Sequence, residues 1–175
     1  MSALTLQTPT LLDEEIFLAA MQGSQKLHHP WVHPPLTSEE FSIYFARYQQ
    51  SNAQSFWLRN HKQQILGVFN LNEIVRGAFQ SAYLGFYSVS NYAGQGFMSQ
   101  GIKLLLNKVF LALKLHRIEA NIQPTNLPSI FLVKKNGFRK EGFSPHYLNI
   151  NGEWRDHERF AMTYEDWLKL NREQT

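Results

Sequence analysis

The sequence predicts a mixed α/β domain, with a central twisted sheet and helices on both faces. Three observations predict it. An aromatic and β-branched run, Phe79 to Val89, passes through Gly94-Gln95-Gly96 into a segment whose apolar residues recur at helical spacing. Those residues are Met98, Ile102, Leu105, Leu106, Val109, Phe110 and Leu113. Strand-like and helix-like patterns then alternate along the chain, which builds a sheet with helices on both sides. Finally, Asn151-Gly152 joins two long strand-like runs, and that dipeptide suits a two-residue hairpin turn.

The elements follow in order. Leu4 to Thr8 alternates as a short strand, ended by Pro9. Leu11 to Met21 is a short amphipathic helix closed by Gly23. His28 to Pro35 is a proline-stiffened loop anchored by Trp31. Thr37-Ser38-Glu39-Glu40 is a capping box for a helix to about Gln50, with Phe41, Tyr44, Phe45 and Tyr48 on its buried face. Ser55 to Asn60 and Ile65 to Leu71 are strands around a turn at His61 to Gln64. Asn72 to Gly77 reads as a loop. His116 to Ile122 is a strand. A short helix starts near Pro128 and ends at Asn136-Gly137. Phe138 to Ile150 and Glu153 to Thr163 form the hairpin, and Tyr164 to Leu170 is a terminal helical turn.

Composition narrows the function. The 175 residues suit one domain, 1–175, with an ample core. A net charge of +3 without a dense Lys/Arg block gives no nucleic-acid motif. Cysteine is absent, which excludes disulfides, thiolate metal sites and a cysteine nucleophile. The seven histidines show no metal-ligand spacing, so no metal is expected. Lysines and an asparagine break the apolar stretch from Ile102 to Leu115, so it reads as a core helix and not a membrane span. No secretory pattern is visible, and a cytoplasmic location is the expectation.

The glycine turn carries the chemistry. A turn that opens a helix leaves backbone N–H groups free, and the helix dipole favours negative charge there. Residues 93–98 therefore suit an oxyanion or pyrophosphate, although a tight connection explains the same spacing. A P-loop is excluded because Phe97-Met98 follows Gly96, and a dinucleotide fingerprint because Ser99 stands where the third glycine belongs.

Several motifs in the same order resemble the GCN5-related N-acetyltransferase (GNAT) superfamily. They are the strand into Gly94-Gln95-Gly96, the segment Asn126-Leu127-Pro128-Ser129, and Lys135-Asn136-Gly137-Phe138-Arg139-Lys140-Glu141-Gly142. More narrowly, Val75 to Phe79, Tyr83 to Phe86 and Asn151 to His157 resemble the ribosomal-protein-alanine branch, which modifies the N-terminus of small-subunit protein S5. The resemblance runs from about Ile65 to Trp167 and implies the acyl-CoA N-acyltransferase fold. It implies acetyl-coenzyme A as cosubstrate, with its pyrophosphate on Ala93, Gly94, Gln95, Gly96, Phe97 and Met98. The pantetheine arm would pair with Tyr87, Ser88 and Val89. Asn91 replaces the usual Gln or Arg at the loop start. Asn126 is expected on the pantetheine side, with an Asx turn before Pro128 as the rival reading.

The reaction implied is direct attack of an amine on the thioester. The tyrosine acid of many members is missing, since Val133 holds its place. Ser129 resembles a serine proposed to act near the sulfur, and hydrogen-bond stabilisation of the thiolate suits a hydroxyl better than proton donation. The base is unassigned, with Glu73, His146 and Tyr147 as candidates. Asn70 and Arg76 are candidates for holding the acceptor. The acceptor implied is a protein N-terminus such as that of S5. A small amine (polyamine, antibiotic or amino acid) keeps the chemistry, and a silent coenzyme A-sensing or ribosome-docking module abandons it. The chain is expected to be a monomer or homodimer.

Overall fold

The computed structural model describes residues 4–173. The predicted domain also includes residues 1–3 and 174–175, which lie outside the described residues. Seven strands form one sheet: β1 (Thr5–Gln7), β2 (Gln54–Arg59), β3 (Ile65–Val75), β4 (Ser81–Ser88), β5 (Arg117–Ile122), β6 (Arg139–Ile150) and β7 (Glu153–Thr163). Their order is β1-β2-β3-β4-β5-β7-β6. Only β4 and β5 pair in parallel; the other neighbours are antiparallel. A parallel pair needs a crossover, and here the crossover is the glycine turn with its helix.

Among the described residues six α-helices cover the sheet: α1 (Glu14–Gln22), α2 (Gln25–His28), α3 (Ser38–Arg47), α4 (Phe97–Asn107), α5 (Leu127–Lys135) and α6 (Tyr164–Glu173). Phe17, Met21 and Phe41 from α1 and α3 pack with Trp57, Val68 and Tyr87 on one face. On the other face α4, α5 and α6 bury Ile102, Leu105, Ile130, Val133 and Trp167 against Leu58, Phe69 and Leu84. The alternation along β2 explains the division. Ser55, Trp57 and Arg59 project to one side, Phe56 and Leu58 to the other.

The sheet seats α4 closely because Gly101 has no side chain. A Cβ there would lie 2.6 Å from two ring carbons of the fully buried Phe69 and 3.1 Å from Leu58 Cδ2. Gly101→Ala is therefore expected to destabilise the protein by up to about 2 kcal/mol. The overpacking cost of about 1–3 kcal/mol exceeds the helix preference of alanine, about 1 kcal/mol. Chemical denaturation of the two proteins checks this.

Four elements differ from the sequence reading. The strand β3 continues through the expected loop to Val75, because Glu73 takes φ 48° as a bulge and pairing resumes at Val75↔Ser81. His28 ends a short helix instead of starting a loop; the Ser24 hydroxyl before it bonds the Ala20 carbonyl at 2.7 Å. The helix α4 gives way to a π-helical turn at Lys108–Ala112. The terminal turn is a ten-residue helix, α6, held at its start by Asp166 on Thr163. The predicted capping box at Thr37 and Glu40 forms, and the Asn151-Gly152 turn has φ 53° and 84°.

Candidate active site

The site grows from a gap in the sheet. Pairing of β4 with β5 stops at Tyr83↔Glu119. The Val89 N–H donates to the Leu66 carbonyl at 3.0 Å, so Val89 and Tyr87 turn their main chain toward β3. By alternation, Phe86 and Ser88 turn theirs away from β3, into the gap. Of the predicted Tyr87, Ser88 and Val89, only Ser88 turns its main chain that way, and its carbonyl is taken by His28 at 2.9 Å, which leaves the N–H. Phe86 joins it, and the sequence reading missed that residue. The parity of the strand is its signal, but the parity depends on which neighbour β4 pairs with.

At the end of β4 the chain makes a short 3₁₀ turn, Ser90–Tyr92, and enters the glycine turn. Gly94 and Gly96 have φ 73° and 82°, and a Cβ on either would meet nothing within 4 Å. This left-handed turn, available to glycine at little cost, is the N-cap of α4. The cap receives no side-chain hydrogen bond, and the first turn carries no acidic residue. Free N–H groups and the dipole thus face open space. Phe97 and Met98 start the helix half-buried, with Phe97 against Tyr92 at 6.1 Å between ring centroids. Gln95 folds back to donate to the Asn91 carbonyl at 2.9 Å, and the Asn91 side chain is exposed.

The other arm of the gap ends at α5. Asn126 caps it: its Oδ1 accepts from the Ser129 N–H at 3.3 Å, an N-cap bond to the third helical residue and not an Asx turn, since Pro128 has no N–H to give. The Ser129 hydroxyl has no partner among the described residues and is half-buried. Asn136, in the resemblance motif, is buried and ties α5 to α4. It donates to the Leu132 carbonyl at 2.8 Å and accepts from the Ser99 hydroxyl at 3.0 Å.

A short segment crosses the mouth of the gap. His28 Nε2 lies 2.9 Å from the Ser88 carbonyl, and Ser24 Oγ accepts from the Ser90 N–H at 2.9 Å. Gln123, just past β5, donates to the Trp31 carbonyl at 3.4 Å. Asn151 of the hairpin turn donates to the Pro30 carbonyl at 3.4 Å. The segment itself, with Asn151, lines a cavity of about 260 Å³, whose wall includes Gln25, His28, His29, His33 and Leu36. Among the described residues no carboxylate lines it.

The remaining candidates are spread out. Asn70 is buried, opposite Gly85, and accepts from the Tyr44 hydroxyl at 3.0 Å. Arg76 is spent on the Leu113 carbonyl at 2.6 Å, near the start of β4 and far along the helix from the glycine turn. Glu73 is held in an ion pair with Arg47. His146 is exposed in a bulge, its N–H bonded to Asp156 at 2.8 Å. Tyr147 reaches Tyr83 beside the last β4–β5 pair and lies 6.0 Å from the His157 ring. Glu119 on β5 and Glu141 on the edge strand β6 are both paired with Arg117. Burial pushes the phenols of Tyr44, Tyr48, Tyr83 and Tyr87 upward, so they stay neutral donors at pH 7.

The comparisons with known proteins agree with this geometry. The family model described as acetyltransferase (GNAT) domain matches residues 3–139. The chain belongs to this GNAT family. Among GNAT relatives, a probable N-acetyltransferase, YjcK, of Bacillus subtilis is 39% identical over 103 residues, 59% of this chain and 57% of that protein. The [Ribosomal protein uS5]-alanine N-acetyltransferase of Escherichia coli is 38% identical over 106 residues, 61% of this chain and 55% of that enzyme. The matched stretch thus spans a little over half the length of these relatives. A spermidine N(1)-acetyltransferase of Vibrio cholerae matches at 23% over 154 residues, 87% of this chain and 88% of that one. Among solved structures, Mycobacterium smegmatis RimJ in complex with CoA-disulfide superposes with a TM-score of 0.86 at 24% identity, covering 99% of this chain and 90% of that one. That likeness shows the GNAT fold.

Coenzyme A is the group a GNAT fold implies, and the residues present fit it. The open glycine turn at Gly94 and Gly96 has room for a diphosphate where any Cβ would project. The unpaired main chain of Phe86 beside it suits an amide-bearing arm. Among the described residues no helix is long and apolar enough to cross a membrane.

Proposed function

We propose that the chain is an acetyl-coenzyme A-dependent N-acetyltransferase whose acceptor is the α-amine of a protein N-terminus, the uS5 class being the first candidate. The observation that carries the chemistry is the β4–β5 gap running directly into a left-handed glycine turn. Residues 93–98 would hold the diphosphate, and Phe86 with Ser88 the amide arm. Acetyl-coenzyme A would supply the activated acetyl thioester. The unpartnered Ser129 hydroxyl stands to hydrogen-bond the sulfur. The terminal amine must be neutral to react, and with a pKa of about 8 roughly a tenth of it is neutral at pH 7.

The cavity favours a peptide over a polyamine. Its wall has amides, imidazoles and aliphatic groups and no carboxylate, so a polycation would enter without counter-charge. The test is calorimetric binding of acetyl-coenzyme A, followed by thiol release with an Ala-initiated uS5-like peptide, unrelated N-terminal peptides and spermidine. Acetylation of the Ala-initiated peptide is expected. Turnover of spermidine alone would overturn the acceptor, and failure to bind acetyl-coenzyme A would overturn the activity.

A further inference from the structure

We propose that His28 Nδ1 is the group that accepts the N–H of the incoming amine and takes its proton. The inference rests on the acetyl-transfer reading but not on the identity of the acceptor.

The argument starts from the hydrogen bond at the other ring nitrogen. A carbonyl only accepts, so the 2.9 Å contact with Ser88 makes Nε2 the donor. A neutral ring with Nε2–H leaves Nδ1 as a bare lone pair. Nδ1 is buried and has no partner, and the side chain is 3% exposed. Buried polar atoms in folded proteins nearly always find a partner, and an orphan at a site points to a ligand. The ring forms part of the wall of the cavity described above, and its Nε2 bonds the strand end that edges the gap. It is thus the one titratable side chain that joins the two compartments among the described residues.

The carboxylate alternatives are engaged elsewhere. Glu73 belongs to Arg47, and Glu119 and Glu141 to Arg117. Tyr87 packs edge-on against His28, with centroids 5.3 Å apart, and holds the ring plane. His29 and His33 share the cavity, His33 3.6 Å from Glu40; Gln25 and Asn151 are its neutral polar groups. Burial lowers the His28 pKa, and the Ser88 carbonyl partly offsets this. The ring is therefore unprotonated at pH 7. The step assigned to the chain is a proton transfer alone. An ammonium R–NH3⁺ gives its proton to Nδ1, leaving R–NH2 and an imidazolium, which returns the proton to water through the cavity.

The test uses the full chain and His28→Gln, whose amide still donates to the Ser88 carbonyl but takes no proton. With whichever amine the wild type acetylates, kcat at pH 7 is expected to fall about 100-fold. The extra fall in kcat that the wild type shows at pH values below the titration of the amine itself should disappear, while coenzyme A affinity by calorimetry stays within about two-fold. That extra fall persisting in H28Q, or a raised KM with kcat unchanged, would overturn the proposal. A second measurement needs no substitution. In wild-type protein with coenzyme A, the ¹⁵N resonance of Nδ1 should start at a bare lone-pair shift and move when the Ala-initiated peptide is added. No movement with calorimetrically bound peptide would overturn it. If the wild type turns over spermidine and no peptide, the protein-terminus reading fails while the His28 test runs with spermidine.

Discussion

Replacing Gly96 with valine is expected to weaken coenzyme A binding at least about thirty-fold, which is about 2 kcal/mol. Gly96 holds φ 82° at the N-cap of α4. A β-branched residue there is strained by about 1–3 kcal/mol. The backbone escapes by swinging φ negative, and that turns the free N–H groups away from the open side of the turn. A chain that tolerates the strain instead plants a branched side chain where the diphosphate belongs. Both routes remove binding, so calorimetry with coenzyme A reads the loss either way. The control is Gly77→Val. Gly77 has φ 70° and equally open surroundings, but lies in the β3–β4 connection. It should lose similar stability and keep its affinity. Equal loss of affinity in both variants would mean that strain, and not the glycine turn, sets binding.

Removing the Asp13 carboxylate should cost about 3 kcal/mol of folding stability, at the low end of the range for breaking a buried ion pair. Asp13 Oδ1 meets Arg59 at 2.8 Å, and Arg59 is 4% exposed on β2, over the Trp57 ring. In Asp13→Ala the guanidinium stays buried with its charge uncompensated. Thr10 also loses the acceptor of its N–H and hydroxyl, both on Oδ2. The pH dependence has a definite sign. Burial alone would raise the Asp13 pKa, but the bonds from Thr10 and Arg59 outweigh it and hold the carboxyl below its ordinary 3.8. Its stabilisation is therefore present above pH 4 and is lost as pH falls through the lowered value. Denaturant unfolding of both proteins at pH 7 and pH 3 should show the difference shrinking at the lower pH.

Some of this molecule was readable from residue order alone. Gly94 and Gly96 mark the turn because only glycine accepts that dihedral cheaply, and Asn151-Gly152 marks the hairpin for the same reason. Thr37 and Glu40 form their box because capping is local. What escaped was whatever depends on partners distant in sequence. Glu73 looked like a loop charge because its role, a bulge pinned by Arg47, needs α3 beside β3. His28 looked like one histidine among three in a proline-stiffened loop. Only the folded chain brings Ser88 to its Nε2 and leaves Nδ1 bare. Arg76 seemed free to hold an acceptor until the end of the α4 crossover supplied the Leu113 carbonyl. The resemblance motif around Asn136 was recognisable as a pattern, and its reason, a tie between the start of α4 and the end of α5, was not.

The segment crossing the mouth of the gap bears on biosynthesis. Its four ties, His28 to Ser88, Ser24 to Ser90, Trp31 to Gln123 and Pro30 to Asn151, span 60, 66, 92 and 121 residues. Closures over such distances come late, because loop entropy is spent before the contact rewards it. A ribosome-bound chain that has delivered α4 but not the hairpin already owns its anion turn and lacks one side of its entrance. The emerging polypeptide should thus acquire cosubstrate affinity in two stages, the second only after the hairpin has left the exit tunnel.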